Sequence, residues 1–362
     1  MQPEDARWMD LALRDAAKGL GRVAPNPAVG CVIVKAGRLL ARARTADGGR
    51  PHAETVALAQ AGTAAQGATA YVTLEPCAHH GKTGPCCDAL VASGIARVVC
   101  AMPDPDSRVA GQGIARMRAG GVQVDVGAMA DQARQLNAGY LKVREHGLPF
   151  LTLKLATSLD GRIATASGES RWITGPTARQ YLHLMRAQHD AVMVGAGTAR
   201  ADDPMLDVRL PGQWKQPLRV VASRDINLPQ GRLFQSAATY PLLILHGPNV
   251  PEGRDILWKM QGADLAHCKI SAGQLDPEDM LRTLADRGVT RVICEGGGHL
   301  AASLLNAGLV DELAIFTAGL ALGGDGIPAI GPLGLGALAE HPRLRLSSIQ
   351  TIGHDTLTLW RA

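Results

Sequence analysis

A chain of 362 residues with 46% hydrophobic content can bury two cores, so two domains are expected. A formal net charge of +4, dispersed basic residues and only 3% aromatics argue against a nucleic-acid stacking surface and favour a small anionic ligand. No run of about 18 uncharged apolar residues occurs, which argues against a membrane span; the seven cysteines, scattered from Cys31 to Cys294, argue for a reducing cytoplasm rather than a disulfide framework.

Residues 5–20 predict an amphipathic helix, with Met9, Leu13, Ala16 and Leu20 on one stripe. Signals then alternate as strand 29–34, helix 52–61, strand 68–74, helix 87–93, strand 96–102, helix 113–119, strand 122–126 and helix 131–145. Gly147 stops that helix and Pro149 follows, which places a boundary between domains 1–147 and 148–362. The second series predicts strands at 150–155, 191–194, 219–222, 241–245, 265–270, 291–294 and 312–316, with helices at 177–188, 277–286 and 299–307. Both series indicate the α/β class, in which ligands sit at strand ends and helix starts.

Chemistry concentrates at such ends. His52-Ala53-Glu54 opens a predicted helix, Pro76-Cys77 follows a predicted strand, and Cys86 comes after eight intervening residues. One imidazole and two thiols form the shell of a hydrolytic zinc site with the fourth position open to water. Zinc lowers the pKa of such a water from about 15.7 to about 7. Glu54, two residues after His52, is placed to carry protons between that water, a ring nitrogen and a departing amine. His-x-Glu ahead of a Thr-Leu-Glu-Pro-Cys strand end is the zinc deaminase signature, although its usual form has two residues between the cysteines. Taken singly, each cysteine also fits a buried, inert role, and a closed structural site would recruit His79, His80 or Cys87 as a fourth ligand.

In the second half, Gly195-Ala196-Gly197-Thr198-Ala199-Arg200 puts arginine where a dinucleotide fingerprint has its third glycine. Glu295-Gly296-Gly297-Gly298 lies between a predicted strand and a predicted helix, where glycines let backbone N–H groups approach a pyrophosphate. A tight strand-to-helix turn without a ligand would have the same sequence.

The loop Ala78-His79-His80-Gly81-Lys82-Thr83-Gly84-Pro85 resembles that of the bifunctional riboflavin-biosynthesis deaminase/reductase family. Ala24-Pro25-Asn26-Pro27-Ala28-Val29-Gly30 is similar to the family's substrate loop. Lys154-Leu155-Ala156-Thr157-Ser158-Leu159-Asp160-Gly161-Arg162, Gly168-Glu169-Ser170-Arg171-Trp172-Ile173-Thr174 and Ala201-Asp202-Asp203-Pro204 look like its reductase half, in the family's order over nearly the whole chain. The resemblance implies a cytidine-deaminase-like α/β/α domain followed by a dihydrofolate-reductase-like α/β domain. It also implies zinc-dependent deamination of 2,5-diamino-6-(5-phosphoribosylamino)pyrimidin-4(3H)-one to 5-amino-6-(5-phosphoribosylamino)uracil, then NADPH-dependent reduction of the ribosyl group to ribityl.

By the same resemblance His52, Cys77 and Cys86 bind Zn2+, Glu54 is catalytic, and Asn26 and Lys82 contact the substrate. Ala156, Trp172, Thr198, Asp202, Ser223, Gly297, Gly298, His299, Leu300, Ala301, Ala302 and Ser303 line the cofactor. Ser170, Arg186, Leu206, Arg209 and Glu295 hold the substrate, the arginines being suited to its phosphate. Lys82 and either arginine, taken alone, also read as solvated surface residues. Thr45 departs from the pattern, standing where the family has a histidine seven residues before the zinc histidine; Arg44 is the neighbouring polar group. The expected partner is a small phosphorylated pyrimidine, with no nucleic acid or membrane, and a homo-oligomer is expected.

Overall fold

The computed structural model describes residues 4–80, 84–106 and 110–362. The chain divides into two compact units, Met1–Gly147 and Leu148–Ala362. The first contains α1 (Asp5–Ala17), β1 (Gly30–Lys35), β2 (Arg38–Arg44), α2 (Ala53–Ala61), β3 (Thr69–Val72), α3 (Cys86–Ala92), β4 (Arg97–Cys100), α4 (Gln112–Ala119), β5 (Gln123–Val126), α5 (Ala130–Leu136) and α6 (Ala138–His146).

Its five strands form one sheet in the order β2-β1-β3-β4-β5. β1 runs antiparallel to both neighbours, whereas β3, β4 and β5 are parallel and need helical crossovers. Successive side chains of a strand point to opposite faces. At Gly30 an added Cβ would lie 1.9 Å from the Ala12 carbonyl oxygen of α1, while Cys31 faces Glu54 of α2. The two helices therefore cover opposite faces, and α1 docks closely because position 30 has no side chain.

Two features differ from the sequence expectation. β2 was not expected, because arginines alternate with small and apolar residues in it; it is an edge strand whose Arg42 is drawn to Asp15 of α1 through two hydrogen bonds, at 2.6 and 2.5 Å. The single helix expected over 131–145 is two helices meeting at Asn137. There the side-chain amide donates to the Ala28 carbonyl at 3.1 Å and its oxygen accepts from the Ala28 N–H at 2.9 Å, tying the junction to the segment that carries Asn26.

The second unit contains β6 (Phe150–Thr157), β7 (Arg162–Ala164), α7 (Pro176–Ala187), β8 (Ala191–Gly195), α8 (Ala196–Asp202), β9 (Leu218–Ala222), α9 (Arg232–Gln235), β10 (Leu242–His246), α10 (Arg254–Met260), β11 (Asp264–His267), β12 (Ile270–Ser271), β13 (Gln274–Leu275), α11 (Pro277–Ala285), β14 (Arg291–Cys294), α12 (Gly298–Asn306), β15 (Glu312–Thr317), β16 (Ile327–Pro328), β17 (Arg345–Ile352) and β18 (Asp355–Arg361). Nine strands form its main sheet, in the order β11-β10-β9-β8-β14-β6-β15-β18-β17.

The sheet is parallel from β11 through β15, and the last two strands are antiparallel. Alternation builds two cores: Ala191 and Met193 of β8 enter one, Val192 and Val194 the other. The expected strand over 265–270 is instead β11 and then β12, which pairs with β13. α8 was hidden by its glycine and alanine content, and the β17–β18 hairpin by the exposure of most of β17.

Candidate active sites

Two helix starts and one strand-end loop build the first site. His52 is the N-cap of α2, Glu54 lies in that helix's first turn, and Cys86 is the first residue of α3. Cys77 comes from the loop after β3, which packs tightly: an added Cβ at Gly113 of α4 would stand 2.1 Å from the Pro76 carbonyl oxygen. Glu75, buried in the same loop, accepts from the N–H groups of Gly111 and Ile114 at 3.0 and 3.1 Å and of Asp104 at 3.2 Å. Its carboxylate thus caps α4 and anchors the loop carrying Cys77.

The His52 Nδ1 lies 3.3 Å from the Cys86 Sγ and 3.6 Å from the Cys77 Sγ, and all three ligand atoms lie within 4.8 Å of one another. Tetrahedral zinc with ordinary Zn–S and Zn–N lengths puts such atoms about 3.6–3.8 Å apart, so the set fits that ion. The Cys86 N–H donates to the Cys77 Sγ at 3.3 Å. Hydrogen bonding from Cys86 holds the Cys77 thiol well below its ordinary pKa, with help from His52 against burial. The Cys86 thiol, hydrogen-bonded to Cys77 and buried, is pushed up; a divalent ion would hold both as thiolates.

Burial pushes the Glu54 carboxyl up to about 7, against the pull of His52, and the Cys86 thiol hydrogen-bonds to it. A carboxyl buried beside the His52, Cys77 and Cys86 side chains is placed to exchange protons with a water held there. The alternative fourth ligands stay apart: the Cys87 Sγ donates to Asp88 at 3.5 Å, and among the described residues only His52, Cys77 and Cys86 form such a metal-ligating group.

Asn26 is half-buried, and the Gly49 backbone packs against its side chain. Thr45 supports this loop from beneath: its hydroxyl accepts from the Val29 N–H at 3.1 Å and is 3.3 Å from the Pro27 carbonyl, to which it can donate. Arg44 is engaged by Asp47 at 2.7 Å. Lys82 lies outside the described residues.

The second site is a cavity of about 1070 Å³ at the carboxyl ends of β6, β8, β9 and β14. That is just above the roughly 300–1,000 Å³ range of small-ligand pockets, with room for a dinucleotide beside a substrate. Ala156, Ser170, Thr198, Asp202, Glu295, Gly297, Gly298, His299, Leu300 and Ser303 line it. The Gly297 N–H donates to the Thr198 hydroxyl at 3.0 Å. Gly298 permits close passage of the 328–331 segment, since an added Cβ would meet the Pro328 carbonyl oxygen at 2.9 Å. The glycine turn and the start of α12 suit a pyrophosphate, and the buried Ser223 hydroxyl, next to the lining residues Ala222 and Arg224, has no protein partner among the described residues. These features fit a nicotinamide dinucleotide.

Other expected contacts are not among the residues lining this cavity. Trp172 is 68% exposed and stacks under Arg179. Ala301, Ala302 and Leu206 have buried side chains and can offer only backbone. The Arg186 fork is occupied by Glu295 rather than turned to solvent, and Arg209 is exposed against His183. Lys154, half-buried and lining the cavity, is a site residue that the sequence reading lacks, although a lone cation in an apolar strand is a readable signal. Burial lowers its pKa, and Glu295 opposes that.

A hydrolytic metal centre with a proton-carrying carboxyl, joined in one chain to an α/β unit with a dinucleotide cavity, defines a deaminase–reductase. Family comparison agrees: residues 2–102 match the cytidine and deoxycytidylate deaminase zinc-binding region, and residues 149–358 match the RibD C-terminal domain. The chain is 41% identical to the riboflavin biosynthesis protein RibD of Escherichia coli K12, covering 97% of this chain and 98% of that one. The Haemophilus influenzae RibD is 40% identical, with 97% and 96% covered.

Among solved structures, Acinetobacter baumannii RibD superposes with a TM-score of 0.89 at 37% identity, covering 99% of this chain and 98% of that one. A Thermotoga maritima diaminohydroxyphosphoribosylaminopyrimidine deaminase/5-amino-6-(5-phosphoribosylamino)uracil reductase gives 0.87 at 32% identity, with 99% and 98% covered. The chain belongs to the RibD family and is a bifunctional deaminase/reductase of riboflavin biosynthesis, zinc-dependent in the first activity and NADPH-dependent in the second.

Proposed function

We propose that residues 1–147 deaminate 2,5-diamino-6-(5-phosphoribosylamino)pyrimidin-4(3H)-one and residues 148–362 reduce the ribosyl group of the product to ribityl. The observation that carries the first assignment is the gathering of His52, Cys77 and Cys86 beside the buried Glu54. Those three side chains would hold zinc, which when bound supplies an acidified water at neutral pH. Glu54 takes a proton from the attacking water and delivers it to the pyrimidine ring nitrogen, then takes the second proton from the newly formed C–OH and gives it to the amine, which leaves as ammonia when the C–N bond breaks and the carbonyl forms. Asn26, held by Gly49 and by the loop that Thr45 ties down, orients the ring, and Lys82 contacts the ribose phosphate.

In the second unit, NADPH when bound supplies the hydride. The turn at Gly297 and Gly298 and the start of α12 receive its pyrophosphate, with Ala156, Thr198 and Asp202 along the cavity. Glu295, oriented by Arg186, forms with Lys154 the polar end where the sugar is placed. Ser170 and Arg209 hold the rest of the substrate. All seven cysteines are free thiols, which suits a cytoplasmic setting; a homo-oligomer belongs to the same reading, and sedimentation velocity tests it.

The zinc-loaded protein is given the diaminopyrimidinone ribotide, ammonia release is followed, and NADPH is then added. Ammonia followed by stoichiometric NADPH oxidation is the expected result. Oxidation without prior ammonia release would reverse the proposed order.

A further inference from the structure

We infer that Arg224 reads the 2′-phosphate of the cofactor and makes this reductase select NADPH over NADH. The inference rests on the cavity being the dinucleotide site, with the pyrophosphate at the turn of Gly297 and Gly298. That turn ends β14, and in the sheet order β9-β8-β14-β6 the polar Lys154–Glu295 end lies toward β6. A dinucleotide with its nicotinamide there must send its adenosine the other way, over β8 toward β9.

Two strand spacings separate β14 from β9, about 10 Å, a span that an adenosine ribose and an arginine side chain cover together. Arg224 is the second residue after β9 and lines the cavity there. Its Nη1 donates to the Gly273 carbonyl at 2.7 Å, which holds the guanidinium at the β12–β13 turn. A guanidinium has five N–H donors in a fork that matches phosphate, so this anchor leaves capacity for a bidentate contact.

The neighbouring charge is arranged compatibly. An acidic residue at the ribose favours the unphosphorylated cofactor, whereas an arginine accommodates the phosphate. Asp225 also lines the cavity, but Arg254 stands 3.7 Å from its carboxylate and donates to its carbonyl at 3.1 Å. Arg200 also lines the cavity and likewise spends one donor, on the Asn227 carbonyl at 2.8 Å, but it belongs to α8, which follows β8, one strand short of β9. Arg224 is therefore the cation best placed for the phosphate.

The test titrates the full-length protein with NADPH and NADH by nicotinamide fluorescence, and with adenosine 2′,5′-bisphosphate and 5′-AMP by calorimetry. R224Q is expected to weaken NADPH and the bisphosphate about tenfold or more while moving NADH and 5′-AMP less than about twofold. R224K should retain part of the preference, and thermal unfolding of each variant should match the parent. An R224Q protein that keeps the parent's NADPH-to-NADH ratio, or an R200Q protein that loses the ratio in its place, overturns the inference and leaves the cavity assignment standing. A parent protein that binds neither dinucleotide overturns the cavity assignment and the inference with it.

Discussion

The Arg186 guanidinium grips both oxygens of the Glu295 carboxylate, Nε to Oε1 at 2.6 Å and Nη2 to Oε2 at 2.8 Å, with each side chain only 9% exposed. The pair fastens α7 to the end of β14, immediately before the glycine turn, so its geometry fixes how that turn meets the cavity. Removing one partner strands the other charge in a buried site, which typically costs about 3–5 kcal/mol. R186M and E295M should therefore each lower the unfolding midpoint of the second unit. The R186M/E295M double variant should be less damaged than either, because no unpaired charge remains. Single variants that melt like the parent would sink this account.

The same pair sets an acid dependence whose sign can be reversed. Burial raises the Glu295 pKa, but Arg186 outweighs it by charge and hydrogen bonding and holds the value below the ordinary one. A depressed folded-state pKa contributes stability that is present above the unfolded value of about 4.3 and lost as pH falls through the folded value. In R186M the largest downward pull is gone and burial prevails, so the folded pKa should lie above the unfolded one. That variant should then lose stability as pH rises beyond about 4.3. Urea unfolding from pH 4 to pH 7 compares the two slopes, and parallel slopes would contradict the argument.

The zinc shell and the main parallel strands were legible in the sequence because each is a local pattern: His52-x-Glu54, Pro76-Cys77, and short apolar runs bounded by turns. Glu75 belongs to the Thr-Leu-Glu-Pro-Cys strand end, but that motif does not show it as the cap of α4, because its partners at Gly111 and Ile114 lie far along the chain. Asn137 looked like an interior helix residue for the same reason: its partner is Ala28. Arg186 and Glu295 were each read as substrate contacts, and no spacing rule shows that residues so far apart satisfy each other. The β17–β18 hairpin is hard to read because most of β17 is exposed on both faces, although β18 itself alternates, with Leu357 buried between exposed and half-buried threonines.

Glu54 and the cysteines should separate by what their loss removes. E54Q keeps the three ligands, so bound zinc should remain near one per chain while ammonia release falls by about a hundredfold or more. C77S and C86S should lose the metal itself, and activity with it. Metal analysis beside ammonia assay distinguishes them; substantial turnover by E54Q would remove Glu54 from the proton-carrying role.

Gly113 offers a way to disturb the metal site without touching a ligand. A methyl group there would stand 2.1 Å from the Pro76 carbonyl oxygen and 3.2 Å from Glu75 Oε1, so α4 or the Cys77 loop must move. Overpacking of this kind costs about 1–3 kcal/mol. G113A should lower thermal stability of the first unit and weaken zinc retention against a chelator, while NADPH binding by the second unit is unchanged. G121A, at a position where no heavy atom lies within 4 Å but φ is +84°, measures the backbone contribution alone and should leave zinc retention intact.

His183 of α7 orients Arg209. The Nδ1 lies 3.1 Å from the Asp207 carbonyl and 3.2 Å from the Arg209 N–H; with hydrogen on Nδ1 the ring donates to the carbonyl and its Nε2 accepts from the Arg209 side chain, Nη2 at 3.3 Å and Nε at 3.4 Å. Burial, then Arg186 and Arg209, hold its pKa below the ordinary imidazole value, which keeps Nε2 available as an acceptor. If Arg209 holds the substrate phosphate, H183L should release that side chain and raise the reductase KM for the phosphorylated intermediate roughly three- to tenfold with kcat little changed. H183Q, whose amide oxygen can accept in place of Nε2, should recover part of the loss. As pH falls, protonation of His183 removes the acceptor and sets a third positive charge beside Arg186 and Arg209, so the parent's KM should rise on the acid side more steeply than that of H183Q. Equal pH profiles for the two proteins would assign His183 a packing role only.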